Sequence, residues 1–225
     1  LKFSDAVPML SRLRTTAREH GLEFGAKLSN TLEVRNVRQV FDPEEKTSYL
    51  SGRPLHAITV NLANELSQEL DVTLSMSFSA GASCFNAPDL LAAGMQTITV
   101  CSDLLKTGGY LRLLDYVDNV KQSFADVGAS SISEFIRKSA GTEAAATLAD
   151  AAKLNLQRYA ELARKDPKNF KNGFDTSHTK TSRALGLFDC INAPCVDECP
   201  LHQQVPRYMN AVRNGDIEAA EQIVR

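Results

Sequence analysis

At 225 residues, with 43% hydrophobic and 23% charged side chains, the chain has the composition of a globular protein that can bury a sizeable core. A net charge of −2 and a pI near 6.1 argue against a nucleic-acid binder, which needs a basic surface to neutralise phosphates. No apolar run approaches the roughly 18 residues of a membrane span. Five cysteines, an odd number, do not look like the paired framework of a small secreted domain, so a reducing cytoplasm is the expected setting. The chain begins at Leu1 and stops at Arg225 inside a helical pattern, so both ends read as cut points and any upstream targeting signal lies out of view.

In chain order, SDAVPMLSRLRTTAREHG predicts a helix with Ser4 as its cap and Gly21 as its stop. Val7, Leu10, Leu13 and Ala17 recur at three- and four-residue steps and should form one buried stripe. LEFGAKLS reads as a short strand, HAITVNLANELSQEL as an amphipathic helix, and VTLSMSFS as a second strand. NAPDLLAAGM is a short helix capped by Asn86, TITVCS a β-branched strand, and GGYLRLLDYVDNVKQSF a closing helix. Strand–helix alternation predicts parallel βα units. About three strands are too few for a closed barrel. They form either a small open sheet or the back half of an eight-stranded barrel. Beyond Phe124 the strand signal ends, and SISEFIRKS, EAAATLADAAKLNLQRYAELARK and VPRYMNAVRNGDIEAAEQIVR are helical. KDPKNFKNGFDTSHTKTSR reads as a solvated polar linker. The predicted fold is therefore α/β followed by all-α, with domains at 1–125 and 126–225 and a boundary near 125–130.

Three places in the βα region can carry chemistry. Lys27 ends the first strand, where a barrel would present a cation, although a solvated lysine fits equally well. SFSAGAS, Ser77 to Ser83, is a small-residue turn after a strand, and Thr99 to Ser102 follows the next strand. Together the two turns could make the phosphate site that barrels build at the ends of adjacent strands, with plain tight turns as the alternative. Cys84 reads as an inert, partly buried thiol and Cys101 as strand packing. His56 reads as a surface or cap residue, His178 as a linker residue without a partner, and His20 as a helix-end charge. No Ser-His-Asp order, P-loop or GxGxxG is present, and no catalytic acid, base or nucleophile stands out.

Near the end, CINAPCVDECP places Cys190, Cys195 and Cys199-Pro200 in a Cys-x4-Cys-x3-Cys-Pro run. Closely spaced thiolates ending in Cys-x3-Cys-Pro suit an iron–sulfur cluster. A Cys3His zinc site using His202, or three free thiols, remain open on spacing alone.

Residues 182–224 resemble the N-terminal iron–sulfur helical domain of dihydropyrimidine dehydrogenase and the glutamate synthase small subunit. Cys190, Cys195, Cys199-Pro200, Val205-Pro206, Tyr208 and Gly215-Asp216 match the family's Cys-x2-Cys-x4-Cys-x3-Cys-Pro pattern and the helices after it. Leu187 stands where that family has its first cysteine, and the family's later ligands would lie beyond Arg225. SYLSGRPLHAITVNLANEL, SMSFSAGASCFNA and TITVCSDLLKTGGYLRLLDYV resemble the C-terminal part of the flavin-type (β/α)8 barrel in selenate reductases of the YgfK type. Both blocks occur there in the same order. The resemblance implies an iron–sulfur flavoprotein oxidoreductase that relays electrons from NAD(P)H through [4Fe-4S] clusters. It implies flavin contacts at Lys27, Gly81, Ala82, Cys101 and Ser102, with FMN in the barrel and FAD and NAD(P)H bound by segments outside these 225 residues. The family's Gly-Gly reads Ala80-Gly81 here. The implied partners are small-molecule redox substrates and other redox subunits, with no nucleic acid and no membrane. The competing classes are a docking scaffold that kept the fold and lost its cofactors, and a zinc-stabilised helical module.

Overall fold

The computed structural model describes residues 2–37, 44–70, 75–95, 97–105, 109–141, 147–170, 194–197 and 199–224. These form two compact units: residues 1–32 with 50–171, and residues 33–49 with 172–225.

The first unit is built on a parallel three-stranded sheet in the order β1-β4-β5, comprising β1 (Gly25–Leu28), β4 (Ser75–Phe78) and β5 (Thr97–Ile98). Consecutive strands are joined by α2 (Arg53–Glu69) and α3 (Ala87–Ala92), the crossovers that parallel pairing requires. In register, Leu28 lies beside Phe78 and Phe78 beside Ile98, while Lys27 lies beside Ser77 and Ser77 beside Thr97. Successive side chains point to opposite faces. The apolar row Leu28–Phe78–Ile98 therefore joins the core with Val60, Ala63 and Leu90, and in the other row Lys27 and Thr97 are exposed while Ser77 between them is half-buried. Of the two arrangements expected from the sequence, a small open sheet or the back half of an eight-stranded barrel, the described residues show an open three-stranded sheet with its crossover helices.

Helix α1 (Phe3–Glu19) precedes the sheet. Its cap is Lys2 rather than Ser4, because Asp5 reaches back to accept the Lys2 N–H at 3.0 Å and starts the helix earlier. Its stripe is also shallower than the periodicity suggests: Phe3, Val7 and Leu10 pack on the core, but Leu13 stays 46% exposed. Helix α4 (Arg112–Asp126) follows a 3-10 turn at Gly109–Leu111. Next come α5 (Ile132–Ser139) and α6 (Leu148–Lys165). Helix α6 lies against α2, α3 and α5, so its apolar residues Leu156, Ala160 and Ala163 complete the core beneath the sheet. Positions 125–130 span the end of α4 and the start of its connection to α5, inside this unit.

β2 (Leu32–Arg35) and β3 (Thr47–Leu50), which apart from Leu32 and Leu50 belong to the second unit, form a two-stranded sheet that the sequence patterning did not predict. Helices α7 (Pro194–Asp197), α8 (Val205–Arg213) and α9 (Ile217–Val224) follow, with α8 packed on α9. Gly215, at φ +76°, makes the turn between that pair. Among the described residues, no helix is long and apolar enough to cross a membrane.

Candidate functional site

The loop after β4, residues 79–86, is held by side chains from α2 and α4 and by its own Asn86. His56 of α2 is 2% exposed, with Nδ1 2.7 Å from the Ala80 carbonyl oxygen and Nε2 2.6 Å from the Tyr159 hydroxyl. A carbonyl can only accept, so Nδ1 carries the proton, and Nε2 accepts from Tyr159. Burial, the largest cause, pulls the His56 pKa below its ordinary value, against smaller opposing effects of the Ala80 carbonyl and Asp166. The ring is neutral. Asn86, at the start of α3, donates from Nδ2 to the Gly81 carbonyl at 3.1 Å and accepts the Ser83 N–H at 2.7 Å. That use explains why Asn86 makes no side-chain cap bond to its own helix.

Two successive carbonyls, of Ala80 and Gly81, are thus turned towards His56 and Asn86. A trans peptide sets each N–H opposite the preceding carbonyl, so the N–H groups of Gly81 and Ala82 point away from those side chains. Gly81 has φ +61°, and a Cβ there would come within 2.7 Å of the Gly52 carbonyl carbon. Glycine is therefore required at this position.

The loop after β5 is tied to the same place. Asp103, buried, accepts from Arg112 at 3.0 Å and from the Tyr116 hydroxyl at 2.8 Å. Tyr116 also reaches the Ala82 carbonyl at 3.3 Å, and Asn119 donates to the Cys84 carbonyl at 3.0 Å. Burial, then the bond to Asp103, raises the Tyr116 pKa, so it stays a protonated donor. Helix α4 thereby ties Ala82 and Cys84 of the loop after β4 to Asp103 of the loop after β5.

Lys27 lies on the exposed sheet face beside Ser77, one residue short of the strand end. Cys101 is exposed in a bend beyond β5 rather than packed in a strand, because that strand ends at Ile98. Cys84 is buried, and burial is the first cause raising its pKa. His56, read from the sequence as a surface or cap residue, is a buried core group. Tyr159, Asp103 and Tyr116 were missed altogether. Tyr159 lies 103 residues from its partner, and Asp103 pairs with Arg112 and Tyr116 across 9 and 13 residues without a spacing motif to mark it.

In the second unit, Cys195 on α7 is exposed and Cys199 is partly buried. The backbone N–H of Gln203, then that of Leu201, directed at the Cys199 sulfur, hold its thiol below the ordinary pKa. The His202 N–H donates to the Cys199 carbonyl at 2.9 Å, and His202 itself adopts φ +48°. The chain thus wraps Cys199 with amide donors, the environment that favours a thiolate ligand. Cys190 and Leu187 lie outside the described residues, and among the described ones no three metal-ligating side chains converge.

Parallel βα units with tied strand-end loops, followed along the chain by a cysteine-bearing helical unit, define an open α/β domain and a helical domain. Residues 1–157 match the family model described as oxidoreductase YgfK, N-terminal TIM-barrel domain, and the chain belongs to that family. Residues 163–225 match dihydropyrimidine dehydrogenase domain II, 4Fe-4S cluster. Curated relatives named "Putative oxidoreductase YgfK", from Escherichia coli K12 and Escherichia coli O157:H7, are each 35% identical over 210 residues, 93% of this chain. The chain spans 18% of the length of those relatives. No solved structure matches.

Proposed function

We propose that this chain is the junction of an iron–sulfur flavoprotein oxidoreductase, with a flavin at the strand-end loops and a [4Fe-4S] cluster on the cysteine segment. The observation that carries the reading is Cys199, whose sulfur is held towards the thiolate by the Gln203 and Leu201 amides within the segment that matches a 4Fe-4S model. Cys190, Cys195 and Cys199 are the proposed ligands. Leu187 leaves the fourth coordination position to another group. When bound, such a cluster supplies one-electron chemistry.

The chain's own contribution is to hold and tune. Amide donors to Cys199 disperse negative charge on sulfur, which favours the reduced state and raises the potential. In the first unit, the outward N–H groups of Gly81 and Ala82 suit an anionic phosphate, and Cys101 and Ser102, on the loop after the adjacent parallel strand, are the further proposed contacts. Lys27, on the exposed sheet face, supplies positive charge at the same strand ends. Alanine at position 80 is compatible with this site: its φ is not positive, so only Gly81 needs a glycine's freedom. NAD(P)H as the electron source and small redox molecules as acceptors complete the reading.

The test is anaerobic purification of the full-length protein, followed by visible spectra and metal and flavin analysis. The expected result is iron with sulfide, a broad thiolate-to-iron band weakened in Cys199→Ser, and bound FMN. Zinc would favour a structural module, and a colourless metal-free protein a docking scaffold. Either sinks the proposal.

A further inference from the structure

Helix α6 is the element that carries the chain out of the barrel match, which ends at 157, and into the iron–sulfur match, which begins at 163. Tyr159 lies between those limits. Its hydroxyl donates to His56 Nε2 at 2.6 Å, which fixes the proton on Nδ1, and Nδ1 holds the Ala80 carbonyl at 2.7 Å. The ring is further confined by edge contacts with Phe78 and Tyr159, at centroid distances of 5.2 and 5.8 Å. A second tether fixes the same turn of α6. Asn61 of α2 donates to the Ala160 carbonyl at 3.3 Å and accepts from Arg164 at 2.6 Å.

The Ala80 carbonyl sets the plane of the peptide whose N–H belongs to Gly81. Releasing it frees that peptide to rotate, and the Gly81 N–H then loses its fixed outward direction. We propose that Tyr159 and His56 are positioning residues for the flavin-phosphate loop, so that flavin affinity in the barrel is set in part from the helix leading into the iron–sulfur segment. This deepens, and rests on, the flavin reading above. It assigns a role to two residues that touch no phosphate themselves and that no spacing motif marks.

The experiment is FMN titration of the full-length protein stripped of flavin, followed by fluorescence quenching, with thermal unfolding measured in parallel. Tyr159→Phe keeps the ring and deletes one hydroxyl; the expected effect is about three- to tenfold weaker FMN binding, the scale of one hydrogen bond. His56→Leu removes the donor to Ala80 and should weaken binding further. His56→Asn places an amide N–H near Nδ1 and should recover affinity towards the Tyr159→Phe level. A purely structural role would lower the unfolding temperature in all three without that recovery of affinity. Wild-type protein that binds FMN, with variants that bind it equally tightly or with no recovery in His56→Asn, overturns the positioning role alone. Wild-type protein that takes up no FMN overturns the flavin reading, and this proposal with it.

Discussion

At position 81 the backbone runs through φ +61° while the Gly52 carbonyl blocks the space a side chain would need. Gly81→Ala should therefore cost about 2–4 kcal/mol, from left-handed strain plus displacement of the Gly52 turn, measured by urea unfolding. Ala80 is fully buried with no such constraint. Ala80→Gly should lower stability by about 1 kcal/mol through a small void and added chain entropy, and leave FMN affinity unimproved. The sequence showed both residues but not which of them the turn depends on, because Gly52 lies on another element. Asp103 is a similar case. It is buried between Arg112 and Tyr116, and nothing in the local sequence marked it. Asp103→Asn should cost about 3 kcal/mol, since it leaves the Arg112 guanidinium without its charge partner.

The helices were the most legible elements, for reasons visible in their ends. Thr147 and Asp150 form a reciprocal capping box, with the Asp150 N–H 3.1 Å from the Thr147 hydroxyl and the Thr147 N–H 3.1 Å from the Asp150 carboxylate. Thr147→Ala should remove about 1 kcal/mol, read by chemical denaturation. β5 was legible as a strand but not in length: TITVCS is β-branched throughout its first half, yet only Thr97–Ile98 pair with β4. β2 and β3 were not legible. LEVR and TSYL are short, and pairing between strands separated by a long connection leaves no local period. Across α2 and α6, the neutral His56 gives a pH signature. Its folded pKa lies below the unfolded value of about 6.5. Its stabilising contribution is complete above about pH 6.5 and is lost as pH falls through the folded pKa, because the unfolded chain takes up a proton that the buried ring resists. Asp166 works in the opposite direction and softens the effect. Between about pH 7 and pH 5, wild-type stability should fall more steeply than that of His56→Asn.

At the scale of the molecule, the order of βα units and cysteine-bearing helices was legible because each half keeps its own period. The tethering of α6 to the first unit was not: its apolar face reads the same whichever partner it covers. It packs on α2, α3 and α5, and so the helix that leads towards the cysteines is also part of the wall behind the β4 loop. The central claim nonetheless concerns the cysteines. Its most direct test is the iron and acid-labile sulfide content of the anaerobically purified full-length protein, beside Cys199→Ser. The account predicts iron and sulfide in equal amounts, in multiples of about four per chain, with both lowered in the variant. Zinc, no metal, or an iron content that Cys199→Ser leaves unchanged would contradict it.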